Sequence, residues 1–157
     1  MSSRIRTLVT ILACAASALP AAAQANAAVA YKGKTRNGSP ISFTVSGSRI
    51  TKLTAYVPTL CLATEGTPLS GTDPFDPSGS FRVGHTDKST VKRANAIWNT
   101  SDVTKNFFVS AKRDRGNRIS GKLHVDYSFL MLLYTYPMSA RPYVCTGDTT
   151  FRLAPRG

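Results

Sequence analysis

The chain has 157 residues and a formal net charge of +12, with 20 lysines and arginines against 8 acidic residues. This length suits a single domain, and the positive excess is larger than solubility alone requires, so it attracts polyanions. Beyond the N-terminal leader no run is apolar for long enough to form a membrane helix, which argues against an integral membrane protein.

The first 27 residues have the three parts of an export signal. Arg4 and Arg6 precede the uncharged apolar run TLVTILACAASALP, and the small-residue run AAAQANA suits a signal peptidase. The sequence therefore predicts a signal peptide over residues 1–27 and a secreted β domain over 28–157, extracellular or associated with a bacterial cell wall. Its removal takes the formal charge from +12 to about +10. Two alternatives stay open: an uncleaved anchor, and a lipoprotein signal that uses Cys14.

Turn signals divide the remaining chain into short extended runs. Asn37-Gly38 is the favoured two-residue hairpin turn, and the glycines of SGSR and RDRGNR mark two further turns. Between the turns, apolar and polar residues alternate, as in ISFTV (41–45) and ISGKLHVDYSF (119–129). Alternation with period two is typical of half-buried antiparallel strands.

These signals predict an all-β fold, because no helical stripe lasts for three turns. The run from Thr64 to Gly79, with three prolines and no periodicity, is predicted to be a long surface loop. We expect a single antiparallel β-sandwich or small β-barrel of about eight strands with one disulfide. The strands are predicted near Val29–Thr35, Ile41–Val45, Ile50–Val57, Ser80–Gly84, Val91–Trp98, Asn106–Lys112, Ile119–Phe129 and Tyr143–Leu153.

Two cysteines, Cys61 and Cys145, lie outside the leader. An exported chain with two thiols usually pairs them. Neither has a CxxC partner or a histidine at metal-ligand spacing. We therefore predict a structural disulfide between the third and the last strand.

Three runs resemble a known group of proteins. YKGKTRNGSPISFTVSGSRITKLTAYVPTLC (31–61) contains Y-x-G-x-T, then G-x-x-I-x-F-x-V, then G-x-x-I and a cysteine, and RISGKLHV and CTGDTTFRLAP follow later. In these motifs the chain is similar to a group of small secreted actinobacterial all-β proteins. The resemblance implies an all-β fold, export and a disulfide, and it carries over no catalytic residue.

Few groups suit catalysis or metal binding. The sequence has two histidines, and the motifs of serine hydrolases, zinc proteases and phosphate-binding loops are absent. His124 is predicted to face solvent on a strand, while His85 with Asp87 makes a weak candidate for an acid–base or metal pair. No catalytic residue, metal site or cofactor is therefore predicted.

Three acidic residues fall in the predicted long loop: Glu65, Asp73 and Asp76. The oxygen-rich spacing of a calcium loop is missing, and a glycosidase would need two carboxylates that face one cleft. A pocket that gathered these acids or His85 would indicate a hydrolase acting on wall material, which is the alternative function.

Basic residues concentrate in two segments. Lys32, Lys34 and Arg36 alternate with other residues, so they share one face of the first strand. The second segment surrounds the predicted 114–117 turn and contributes Lys112, Arg113, Arg115, Arg118 and Lys122. One interpretation is a weak anion-binding surface; the other is a set of solvated strand faces and charged edges that prevent sheets from pairing. Lys88 and Lys105 are expected to be exposed lysines outside these segments.

An uncharged apolar run, FLMLLYTYPM (129–138), follows the best-marked strand. Either it is buried in the core or it forms an exposed contact surface. Taken together, the sequence predicts a secreted, non-enzymatic β domain that binds an anionic cell-wall polymer, another polysaccharide or a protein partner. Sequence-specific nucleic-acid binding is not expected, because aromatic residues do not share a face with the lysines.

Overall fold

The computed structural model describes residues 27–93, 103–133 and 139–156. The predicted signal peptide, most of the predicted strand Val91–Trp98 and the end of the apolar run fall outside these residues, apart from residue 27. The described part contains nine strands, namely β1 (Val29–Lys34), β2 (Pro40–Ser46), β3 (Arg49–Ala63), β4 (Leu69–Phe75), β5 (Phe81–Arg82), β6 (Thr86–Arg93), β7 (Val103–Arg113), β8 (Ile119–Leu133) and β9 (Ser139–Leu153).

All nine strands belong to one antiparallel sheet, which is not closed. The strand order is β1-β2-β3-β9-β8-β7-β6, and β4 and β5 pair with the other edge of β3. Within the described residues the one helical element is a 3-10 turn, Arg115–Asn117, in the predicted β7–β8 turn. The predicted all-β, antiparallel fold with one disulfide is therefore confirmed.

The long strands β3 and β9 pair at one end and separate at the other. The second half of β3 pairs with β9, whereas its first half pairs with β2. β1 returns to the end of β9 through the bridges Tyr31–Pro155 and Thr35–Phe151. The two N-terminal strands thus fill the gap between β3 and β9.

The main core lies on the inward side of the sheet. Alternate residues of β2, β7 and β8 are buried, as the sequence alternation predicts. β3 keeps its alternation through an irregularity, since Lys52 has a φ of 52° and the register with β2 shifts between Ser42 and Thr44. Over this interval β3 has one residue more than β2, a β-bulge, and the bulge allows both Ile50 and Leu53 to be buried.

The prediction of a long loop from Thr64 to Gly79 is wrong for the central part of that run, which forms β4. Residues 69–75 pair with β3, and Phe75 is fully buried. Pro74 has no N–H for a ladder, but β4 is an edge strand, where a proline is tolerated. The residues that face inward include Gly71 and Asp73, so the strand shows no apolar alternation.

The predicted disulfide is confirmed. Cys61 and Cys145 lie directly opposite each other on β3 and β9, with their Cα atoms 3.9 Å apart. Together with Tyr143 they form a second, smaller buried cluster, against which Phe129 and Met131 pack. None of the described residues forms a helix with the length and hydropathy needed to cross a membrane.

Candidate functional site

The register of β1, β9, β8 and β7 brings basic residues from distant segments to the outer face of the sheet. The bridge between Thr35 and Phe151 places Lys34 opposite Arg152, and Arg152 lies opposite Ser120 on β8. Ser120 in turn lies opposite Lys112 on β7. Lys34, Arg152 and Lys112 therefore form one row across four strands, which spans about 14 Å at the usual strand spacing.

A second row runs beside the first, two residues along each strand. The backbone N–H of Arg36 donates to the carbonyl of Thr150, and Thr150 lies opposite Lys122. On the other side of the first row, Lys32 lies two residues before Lys34 on β1, opposite Ser42. We call this surface the basic face; its exposed cations are Lys32, Lys34, Arg36, Lys112, Lys122 and Arg152.

Two carboxylates neutralise part of the basic face. Asp148 accepts from Lys122 at 2.9 Å and from His124 Nδ1 at 3.0 Å. Burial alone raises the pKa of Asp148, but these two hydrogen bonds outweigh it and hold the pKa below the usual value of 3.8. Asp114 accepts from Arg152 at 3.3 Å.

Four cations of the face, Lys32, Lys34, Arg36 and Lys112, are left without a carboxylate partner among the residues that the structure describes. Their charge is therefore available to an external anion.

The other predicted basic residues have different surroundings. Arg113 donates to the carbonyl of Gly47 at 2.9 Å, so it ties the end of β7 to the β2–β3 turn. Arg115 and Arg118 are exposed at the 3-10 turn, beside the first row of the basic face. The two predicted basic segments thus belong to one end of the molecule, and Arg113 has a structural partner there.

A groove of about 490 Å³ lies on the basic face beside the turn between β5 and β6. His85 lines this groove together with Lys112 and Lys122, and among the residues that the structure describes no carboxylate lines it. A smaller hollow of about 80 Å³ lies at the other side of the face and includes Lys32 and Ser42.

The inward face near the disulfide contains a largely buried ion pair. Lys105 Nζ lies 2.7 Å from Asp73 Oδ1, and Thr59 donates to Asp73 Oδ2 at 2.7 Å. Tyr127 donates to the same oxygen, and Lys105 lies 4.3 Å from the centre of its ring. The cluster therefore joins β3, β4, β7 and β8. The expectation that Lys105 is an exposed lysine is wrong, since its side chain is 12% exposed.

The protonation states of this cluster favour a structural role. Burial raises the pKa of Asp73, but hydrogen bonds from Lys105, Tyr127 and Thr59 outweigh burial and hold it below 3.8. Burial and the neighbouring carboxylate raise the pKa of Tyr127 above its usual value. Asp73 is therefore charged and Tyr127 protonated at neutral pH, and the lysine charge is used inside the protein.

The residues considered for a hydrolase are placed apart. Asp73 lies in the interior cluster, Glu65 in an exposed bend and His85 in the outer groove. Asp87 accepts from the backbone and the guanidinium of Arg82. The guanidinium bond contributes most to lowering the pKa of Asp87, and the backbone bond lowers it further.

His124 lies on the polar outer face, as predicted, with its ring between Asp126 and Asp148. Among the described residues no group of three or more histidines, cysteines and acids is arranged to hold a metal ion.

Sequence reasoning missed one member of the basic face, Arg152. It is a single cation in its strand, and the signal that joins it to the predicted residues is the long-range pairing of β1 with β9. The alternation of CTGDTTFRL does place Arg152 on the side opposite Phe151. Its row neighbours become visible only when the strand order is known.

Exposed apolar side chains occupy the opposite end of the outer face, over the disulfide. Leu62 and Val144 are paired across β3 and β9 and are 51% and 64% exposed. Leu60 and Leu130 are also exposed, whereas Phe129 and Met131 are half-buried against the disulfide cluster. In its described part, the apolar run 129–138 thus contributes both to the buried cluster around the disulfide and to the exposed apolar surface.

Comparison with known proteins gives no match to a family model, to a curated protein sequence or to a solved structure. The strand register and the charge distribution are therefore the observations that bear on function.

Proposed function

We propose that the protein is a secreted, non-enzymatic β domain whose basic face binds an anionic cell-wall or other extracellular polymer. The observation that carries the proposal is the register that unites Lys34, Arg152 and Lys112 in one row. Neighbouring strands are about 4.8 Å apart and successive outward residues about 7 Å apart, so a flexible chain of anions can contact several cations at once. Each contact releases counterions from the polymer, which favours binding at low salt.

The disulfide between Cys61 and Cys145 supports export, because such bonds persist in oxidising compartments. Export is also part of the proposal, as is the relationship to the secreted actinobacterial group. Tyr56 lines the smaller hollow beside Lys32, but within the described part of the chain neither row of the basic face holds an aromatic residue, so we propose recognition of charge spacing rather than of a base sequence.

The alternative, a hydrolase of wall material, has weaker support. A hydrolase needs two catalytic groups at one cleft. Asp73 is engaged by Lys105, and none of the described residues that line the groove with His85 is a carboxylate. Release of soluble fragments from purified cell walls would contradict the binding proposal and support this alternative.

Binding is tested with the oxidised protein on immobilised dextran sulfate, on polyphosphate and on neutral dextran, over a range of salt concentrations. We expect binding to both polyanions and none to neutral dextran, with affinity falling linearly in log K against log salt. Replacing Lys32, Lys34 and Arg36 by glutamate should weaken binding at least about tenfold and reduce the salt slope by about three.

The matched control replaces Lys52, Lys88 and Lys92 by glutamate. All three are exposed and lie outside the rows of the basic face, so the change in net charge is the same. The control should retain most of the affinity and the salt slope. Equal losses in both variants would show that net charge alone determines binding, and the proposal would then be wrong.

A further inference from the structure

The groove beside the β5–β6 turn has the chemistry of a site for a single oxyanion. Two lysines, Lys112 and Lys122, are among its lining residues. Hydroxyl side chains from four strands line it, namely Thr86, Ser110, Ser120 and Thr150. Ammonium and hydroxyl groups donate hydrogen bonds to anionic oxygens. Lys122 Nζ also donates to Asp148, whereas Lys112 has no carboxylate partner among the described residues, so Lys112 is the more available cation of the groove.

Gly121 lies between two lining residues of the groove, Ser120 and Lys122. A Cβ atom at this position would point to the inward face, where it would clash with the carbonyl oxygen of Ser110 and lie 2.8 Å from the buried ring of Phe151. Glycine is therefore required here by the packing of the sheet, and it adds no side chain to the groove.

Ser120 provides a second, independent observation. Its Oγ is buried and has no hydrogen-bond partner within the described part of the chain. A buried hydroxyl without a partner costs about 1–3 kcal/mol, so such a group usually has a partner, and Ser120, as a lining residue of the groove, can take it from a group bound there. Lys112 lies directly opposite Ser120 in the strand register, which brings a cation to the same position.

We propose that this groove binds one tetrahedral oxyanion, a phosphoryl or sulfate group, with Lys112 and Ser120 as its principal ligands. The inference rests on the proposed function, since the group would be carried by the polymer that contacts the basic face. A tetrahedral oxyanion has enough acceptor oxygens to receive hydrogen bonds from both lysines and from the hydroxyl groups together. The remaining cations of the face then contact neighbouring anions.

The test is an NMR titration of the oxidised protein with inorganic phosphate and, separately, with inorganic sulfate, at constant ionic strength. We expect saturable shifts concentrated at the backbone amides of residues 110–112, 120–122 and 150. Replacing Lys112 by glutamine together with Ser120 by alanine should weaken phosphate binding at least about tenfold, since a charge-assisted and a neutral hydrogen bond are lost.

The chain contains a closely matched control. Lys32 and Ser42 are also a cross-strand lysine–serine pair on the basic face and line the smaller hollow. There the serine hydroxyl already has a partner, Thr54, at 2.8 Å. Lys32→Gln with Ser42→Ala should change phosphate affinity less than about twofold, because the same charge is removed from outside the groove. Shifts spread over all exposed lysines, or equal weakening in the two double variants, would overturn the groove site.

Polymer binding, measured on the same variants, separates the two proposals. Suppose that phosphate shifts localise to the groove while replacement of Lys32, Lys34 and Arg36 leaves polymer affinity unchanged. The oxyanion site is then supported and the polymer proposal is wrong. If polymer binding depends on these β1 cations but phosphate shifts are not localised, the polymer proposal stands and the groove site is wrong. Preference for sulfate over phosphate, or the reverse, identifies the group.

Discussion

The interior of the sheet is stabilised in different ways at its two ends. At the β1 end large aromatic side chains pack together: Tyr31 stacks on Phe43 with ring centres 5.1 Å apart, and Phe43 meets Phe151 edge-on at 5.5 Å. At the opposite end the buried cluster is small and contains the disulfide, and the ion pair of Asp73 with Lys105 lies beside it.

The difference follows from how much apolar area each end can bury. β1 and β2 cover the first end, whereas at the second end β3 and β9 pair directly and fewer apolar residues meet inside. A small apolar core gives little hydrophobic stabilisation, so a covalent bond and a charged network replace part of it. The aromatic end should therefore be insensitive to redox and pH, and the disulfide end sensitive to both.

The largest effect is expected from loss of the disulfide. Cys61→Ala with Cys145→Ala removes the bond that closes a loop with a sequence separation of 84 residues. By the chain-entropy estimate this lowers the unfolding free energy by about 4–5 kcal/mol. Urea unfolding of the oxidised protein and of the double variant measures the loss. Alkylation of the unreduced protein should label neither thiol. A loss below about 1 kcal/mol would mean that the disulfide end is stabilised mainly by packing.

At the aromatic end, Phe43→Ala should cost about 4 kcal/mol, because it removes a buried ring and leaves a cavity between two aromatic partners. The loss should be equal at neutral and at acidic pH, since Phe43 packs on aromatic rings and not on carboxylates. Phe43→Leu keeps more of the volume and should lose less than half as much. Urea unfolding at the two pH values provides the comparison, and a strongly pH-dependent loss would contradict the division between the two ends.

At the disulfide end, Asp73→Ala should cost about 3 kcal/mol, because it leaves Lys105 largely buried without a counter-charge. The double variant Asp73→Leu with Lys105→Met removes both charges and should recover most of the loss. Failure of the double variant to recover would indicate that the hydrogen bonds of Thr59 and Tyr127, rather than the charge pair, determine the cost.

The same ion pair predicts a dependence of stability on pH. The folded pKa of Asp73 lies below its usual value of 3.8, so its carboxylate contributes stability above that value. The contribution is lost as pH falls below 3.8 and through the folded pKa. Asp87 and Asp148 have lowered pKa values as well, so the difference between wild type and Asp73→Asn isolates this residue. The difference in unfolding free energy should shrink in acid and be constant near neutral pH.

Local alternation was enough to predict much of the sheet and none of its long-range contacts. β2 and β8 were recognised because their inward residues are apolar at every second position, as Ile41 and Phe43 illustrate. β4 was missed because its inward positions include a glycine and Asp73, and the stabilising partner of Asp73 lies 32 residues further along the chain.

The position of Lys105 illustrates the same limit. Alternation in VTKNFFVSAKR places it on the side of Phe107 and Val109, but a lysine at such a position is usually read as solvent-facing. The shared face of Lys32 and Lys34 was predictable from one strand. Its union with Lys112 depends on the bridge between β1 and β9, which leaves no local pattern in the sequence.

The smallest effect is expected where the aromatic end donates a hydrogen bond to the 3-10 turn. Tyr31 is 2% exposed, and its hydroxyl donates to the carbonyl oxygen of Asn117 at 2.8 Å. Tyr31→Phe keeps the stacking on Phe43 and removes this bond alone. Because Asn117 is exposed, water can reach its carbonyl, so the loss should be about 1 kcal/mol and independent of pH. The urea midpoint should fall while the m-value stays constant. A loss as large as that of Asp73→Ala would mean that a polar contact dominates this end too, and that the contrast between the two ends does not hold.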